Sequence, residues 1–181
     1  MEVHEFPDAA AWEAWLAERH DTSAEAWLRI AKKGSGLASI VIGDALDVAL
    51  CYGWIDGQRR SLDEVSFLQR YCPRRPRSAW SQVNVAKIEV LTGAGRMRPP
   101  GIAQVEAAKA DGRWEAAYES QRNAEVPPDL AAALAGDPEA AAAFEKLGRS
   151  DRYWIILQLL KARTPDTRAK VLARSIERLK G

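Results

Sequence analysis

DALDVALCYG, residues 44–53, constrains the fold more than any other stretch of the chain. Its apolar residues recur almost all round a helical projection and a glycine follows. It reads as a short helix over 44–52, buried on nearly every side and closed by Gly53 at the position after the C-cap. Such a helix needs structure packed around it. The residues that follow supply part of that cover: 54–60 and 65–72 are expected as two strands of a hairpin around a turn at 61–64, stopped by Pro73 and Pro76.

The flanking segments extend this pattern. Asp8 is placed to cap an amphipathic helix carrying Trp12, Trp15 and Leu16, and residues 25–32 read as a strand ended by the Gly34-Ser35-Gly36 loop. That loop lacks the full phosphate-cradling pattern, so a plain strand-ending loop is the simpler reading. Ser81 can cap a helix running to Gly93, and Pro99-Pro100-Gly101 opens another that ends near Asp111-Gly112.

A linker is expected over 122–129, and everything beyond it is helical in character. An alanine-rich stretch over 129–146 breaks at Gly136-Asp137-Pro138. Ser150 or Asp151 caps a helix with Tyr153, Ile156, Leu157 and Leu160 on one face. Thr164-Pro165 then opens the last helix, with Val171, Leu172, Ile176 and Leu179 inward. The expected class is α+β: a small sheet with a hairpin packed by helices over 1–122, followed by a helical module over 123–181.

Composition excludes several functions. A hydrophobic content of 47 % in 181 residues is enough for a sizeable core, and a net charge of +1 provides no general attraction to nucleic acid or anionic lipid. The N-terminus carries acids where a secretory signal needs a basic start, and no apolar run approaches membrane-spanning length, so a cytoplasmic protein is expected. Cys51 and Cys72 have no metal-ligand spacing with each other or with His4 and His20; no metal and no cofactor is expected.

The chemistry concentrates in WIDGQRRSLDEVSFLQRYCPRRPRSAWSQVN, residues 54–84. Arg59, Arg60, Arg70, Arg74, Arg75 and Arg77 outnumber Asp56, Asp63 and Glu64. Guanidinium forks suit carboxylate or phosphate, and Trp54, Tyr71 and Trp80 could offer stacking faces. Three readings compete. In the first, Arg59 and Arg70 pair with hairpin acids while Trp54 and Trp80 fill the core. In the second, an anionic or aromatic ligand sits among Trp54, Asp56, Arg59, Arg70, Arg74, Arg75, Arg77, Trp80 and Asn84. In the third, the basic hairpin and the basic last helix (Arg168, Lys170, Arg174, Arg178, Lys180) contact nucleic acid. Asp56-Gly57 reads as a turn or bulge with the glycine at positive φ, and no catalytic residue is assigned. An enzyme using Asp56 or Asp63 as general acid/base is the remaining alternative.

CYGWIDG, FLQRYCPRRPRSAWSQVN and GRMRPPG (95–101), together with Phe144, Ser150, Tyr153, Trp154, Lys161, Thr167 and Arg168 in the tail, resemble the bacterial YdeI/OmpD-associated, or bacteriocin-protection, family. The matches spread over most of 25–181. The penultimate helix, YWIILQLLKA, is more apolar than the basic-aromatic pattern of that family. The resemblance implies a small α+β protein linked to protection against antimicrobial peptides or toxins, with a small-molecule or peptide antimicrobial as partner. It brings no reaction, cofactor or catalytic residue.

Overall fold

A computed structural model describes residues 2–119 and 123–181. The chain divides into two compact units, Met1–Trp80 with Asn84–Ala116, and Ser81–Val83 with Ala117–Gly181. Arg122, where the linker was expected to begin, lies outside the described residues.

In the first unit Asp8 caps α1 (Ala9–Arg19), its carboxylate accepting from the Ala11 amide at 2.9 Å. Trp12 and Leu16 turn fully inward, and the Trp12 indole donates to the Ala45 carbonyl of α2 (Ile42–Cys51) at 3.1 Å. Four strands form one sheet in the order β1-β2-β4-β3: β1 (Val3–His4), β2 (Ala26–Ala31), β4 (Ser66–Pro73) and β3 (Trp54–Ser61). β1 runs parallel to β2, and the other pairs are antiparallel. Two-residue β1 is too short for any period to betray it in sequence. Asp63 makes the hairpin turn, its Oδ1 accepting from the Val65 amide, the Ser66 amide and the Ser66 hydroxyl at 2.6–3.0 Å.

Register assigns the sheet its two faces, because residues directly opposite share a side. Ala26, Leu28 and Ile30 of β2 lie on the same face as Phe67, Gln69 and Tyr71 of β4, and Trp54 and Asp56 of β3 join them. The other face carries Trp27, Arg29, Leu68 and Arg70. There Arg60 lies over the Trp27 ring at 4.7 Å, Arg70 pairs with Glu25 at 2.6 Å, and Arg29 reaches Glu5 and Asp63. Long arginine stems thus cover an apolar sheet surface while their heads stay wet.

α2 ends where the sequence places its stop. Gly53 adopts φ 73°, and a Cβ there would stand 2.9 Å from both the Pro100 carbonyl oxygen and Gln104 Cγ. Across the gap, a Cβ on Gly101 in α4 (Pro99–Ala110) would overlap the Cys51 carbonyl, which also accepts from the Arg98 amide at 3.1 Å. α3 (Gln82–Gly93) buries Ile88 and Leu91, and its Lys87 pairs with Asp47 of α2 at 2.5 Å. Gly101→Ala is expected to lower the urea midpoint by the equivalent of about 1–3 kcal/mol, because backbone rather than a pliable side chain blocks the methyl. Gly34→Ala, at φ 80° with nothing within 4 Å, is expected to cost about 1 kcal/mol.

The second unit contains α5 (Pro128–Ala135), α6 (Pro138–Lys146), α7 (Arg149–Lys161) and α8 (Pro165–Lys180). Leu130, Leu134, Ala140, Phe144, Ile155, Ile156 and Leu159 form its core, with Val171, Leu172, Ile176 and Leu179 packed against it. Two expectations are corrected. α7 starts at Arg149 with Gly148 at the N-cap, so neither Ser150 nor Asp151 caps it. Its inward stripe is rotated to Ile155, Ile156 and Leu159, leaving Leu157 and Leu160 half-buried.

Thr164 caps α8 as expected, accepting from the Thr167 amide at 3.2 Å. Arg168 then grips Asp129 through two bonds of 2.6 and 2.8 Å and donates to the Leu159 carbonyl at 3.0 Å, fastening α8 to α5 and α7. The Arg168 hydrogen bonds hold the Asp129 carboxyl below the usual aspartate range. Arg168→Ala is expected to cost about 1–2 kcal/mol at pH 7 in chemical denaturation. Because the folded pKa of Asp129 is depressed, that contribution is present above the unfolded aspartate pKa. The gap between wild type and variant should therefore close as pH falls through the folded value.

Candidate functional site

The site begins at an irregularity in the edge strand. Between Asp56 and Arg59 the β3–β4 register slips, so Asp56 opposes Tyr71 and Arg59 opposes Gln69. In an unbroken strand, residues three apart point to opposite faces; the bulge sets Asp56 and Arg59 on the same one. Of the two expectations for Asp56, turn or bulge, the bulge is the one found, within a strand, but Gly57 does not provide the positive φ expected of it.

Buried Gln69 holds the bulge together. Its amide nitrogen donates to the Gly57 and Gln58 carbonyls at 3.1 and 3.3 Å, while its oxygen accepts from Arg59 Nε at 3.1 Å. The Arg59 guanidinium also lies 4.5 Å from the centre of the Phe67 ring. Arg59 and Arg70 therefore do not pair with Asp56, Asp63 or Glu64; Gln69, Phe67 and Glu25 take them.

Beside the bulge, burial pushes the Asp56 carboxyl above its ordinary range, against the weaker opposing pull of Arg59 and Arg74. Asp56 as a residue is exposed at the sheet edge, so its carboxyl is crowded by neighbours without being sealed in. Tyr71, fully buried opposite it, is pushed up by burial first and by the Asp56 charge second. Its hydroxyl finds no hydrogen-bond partner among the described residues.

The arginine-rich segment after β4 is a loop tied down from both ends. The Arg74 amide donates to the Gly53 carbonyl at 3.0 Å, and its buried guanidinium donates to the Ala79 carbonyl at 2.8 Å and stacks 3.7 Å over Trp80. Arg113, also buried, pairs with Asp111 and donates to the Ser78 carbonyl at 3.0 Å. Between these anchors Arg75 and Arg77 are exposed; the Arg75 carbonyl accepts from the Ser78 amide at 3.1 Å, while no hydrogen bond or ion pair engages either side chain among the described residues. Arg77 adopts φ 67°, the only non-glycine described residue in the left-handed region.

Trp54 and Trp80 are each 1 % exposed. Trp54 donates to the His20 carbonyl at 3.1 Å and meets Trp12 and Trp15 edge-on, while Trp80 packs on Trp114. Both are core side chains, as the first of the three sequence readings has them, and neither offers a face to a ligand. Asn84, half-buried in the first turn of α3, completes the expected set. Asp56, Arg59 and Arg74 come together; Arg70 lies on the opposite sheet face, and Arg75 and Arg77 on the exposed loop. Sequence reasoning missed Gln69 and Arg113. A glutamine inside an apolar strand was the one available signal for the former; Arg113, distant in sequence, left none.

Because the folded-state pKa of Asp56 is raised, ionising it in the folded protein is unfavourable. Stability should fall as pH rises from the unfolded aspartate pKa through the folded one. Asp56→Asn is therefore expected to be more stable than wild type at pH 7. The advantage should vanish below the ordinary aspartate range, as read from denaturation midpoints across pH.

Among the described residues, no helix is long and apolar enough to cross a membrane, and no three His, Cys, Asp or Glu side chains are grouped to hold a metal ion. Comparison with curated proteins and with solved structures gave no match. Two family models do match. Residues 123–181 match the model described as Bacteriocin-protection, YdeI or OmpD-Associated. Residues 4–104 match a separate model, Domain of unknown function (DUF8412), so the expected single resemblance over 25–181 divides into two. With more than half of its length in that second match, the chain belongs to the DUF8412 family and carries a C-terminal module of the bacteriocin-protection, YdeI/OmpD-associated type.

Proposed function

We propose that this is a cytoplasmic, non-catalytic binding protein of the bacterial protection type, whose first unit takes up a small anionic ligand at the loop between β4 and α3. The observation that carries the reading is Arg77 held at φ 67°. A non-glycine residue in that region costs of order 1–3 kcal/mol and persists where the surroundings enforce it, often at ligand sites. Here the enforcing contacts are the bonds of Arg74 and Arg113 to the Ala79 and Ser78 carbonyls. They fix the backbone that carries Arg75 and Arg77, so only side-chain freedom is left to lose on binding an anion. With Trp54 and Trp80 buried, the aromatic half of the expected ligand class has no stacking face, which narrows the reading to an anion.

A polyanion such as nucleic acid is the less favoured occupant. Arg59, Arg60 and Arg70 are engaged on the sheet. In the last helix Arg168 grips Asp129, Lys180 pairs with Asp137 and Glu177, and Arg178 lies over Trp154. Proton transfer by Asp56 is the second reading, favoured by its raised pKa beside buried Tyr71.

Arg77→Gly separates charge from fold, because glycine accepts the left-handed backbone without strain. Titration with inorganic phosphate, followed by amide chemical shifts, should move resonances of 73–80. The variant should bind about tenfold more weakly, as expected for loss of a charge-assisted hydrogen bond, with a thermal midpoint equal to or above wild type. Unmoved resonances in 73–80, or equal affinity in the variant, would remove the loop as the site. A DNA oligonucleotide binding with a steep salt slope where phosphate does not would favour the polyanion instead.

A further inference from the structure

The second unit holds a concavity of about 510 Å³ that none of the preceding readings uses. Phe144, Leu147 and Ile156 wall it with apolar surface, and Ala124 and Val126 close one side. Among the described residues its charged lining is Arg149 and Arg152, with no acid. The nearest acid on α7, Asp151, does not line it; it lines an adjoining concavity with Trp154, the two sharing Leu147. The Glu145 side chain is exposed; only its backbone carbonyl is engaged, accepting from Arg152.

Arg152 is the informative residue. Its guanidinium lies 5.7 Å from the centre of the Phe144 ring, and its Nε is buried with no acceptor among the described residues. A buried guanidinium N–H without an acceptor is costly, and an acceptor brought to it, water or an anion, removes that cost. Arg149, in the exposed first turn of the same helix, doubles the positive charge at the mouth. An apolar floor beneath two cations, at a volume within the usual range for small-ligand sites, matches one chemical class.

We infer that this concavity binds an amphipathic anion: a carboxylate or phosphate ester held by Arg149 and Arg152, with an apolar tail lying against Phe144, Leu147 and Ile156. This site lies wholly in the second unit and does not rest on the loop between β4 and α3.

Calorimetric titration of the full chain with decanoate and with decyl phosphate, both below micelle formation, tests it. Decanol and decyltrimethylammonium serve as the neutral and cationic arms. Saturable one-to-one binding of at least one anion is expected, with the neutral and cationic probes at least tenfold weaker. The phosphate and carboxylate arms distinguish the two headgroups. Arg152→Gln should reduce anion affinity about tenfold and Arg149→Gln severalfold, both with unchanged circular dichroism. If Arg152→Gln unfolds, the exposed Arg149→Gln carries the test alone. Absence of anion binding, equal binding of decanol, or affinity unchanged in Arg149→Gln would overturn the inference. Amide chemical shifts, followed in a parallel titration with the same anions, would overturn it as well if they moved only in residues 73–80, because the anion would then occupy the loop of the first unit.

Discussion

The first unit depends on one backbone-to-backbone contact, the crossing of the α2 C-terminus with the α4 N-terminus. Cys51 offers its carbonyl to the Arg98 amide, and the space around that carbonyl admits no side chain at Gly101. Gly53, two residues on, turns through positive φ and also faces the Pro100 carbonyl at short range, though less tightly. Its own carbonyl accepts the Arg74 amide. The helix end therefore sets both where β3 departs and where the arginine loop begins. Close backbone approach of this kind tolerates no substitution by rearranging a side chain, since neither partner has one to move.

The arginines that dominate the sequence separate by face once the sheet exists. Arg29, Arg60 and Arg70 act as a half-apolar cover over Trp27 and Leu68, with Glu25, Glu5 and Asp63 balancing their charge. Arg74 and Arg113 are structural ties buried in a polar loop. Arg75 and Arg77 are left outward on the loop, and the bulge gathers Asp56, Arg59 and Tyr71 on one sheet face. In the second unit the same residue type again serves two ends. Arg168 binds helices together, while Arg152 leaves a donor over an apolar hollow.

Much of this was legible in sequence where the signal is local. Asp8 and Thr164 cap their helices because a short side-chain oxygen can reach an amide two or three residues on, whatever the rest of the chain does. Gly53 after an apolar helix, and the prolines opening α4, α5, α6 and α8, are equally local signals. The α7 stripe is only partly as expected: Ile156 is buried and Leu160 packs against the core, but Ile155 and Leu159 take the other buried places. Its residues 155–157 and 159–160 are all apolar, so composition leaves the inward direction open until a neighbour is packed against it.

The chain by itself thus determined the order of elements after β1, the hairpin and the helical character of the tail, through caps, breakers and periodicity that act over a few residues. Tertiary structure alone decided which indoles were spent in the core, as with Trp54 and Trp80, and which arginine met which partner. It also decided that a bulge would set Asp56 and Arg59 on one face. These outcomes depend on register and on contacts between residues tens of positions apart. A one-residue slip in pairing reverses every side chain it touches, and no pattern within a single segment encodes that choice.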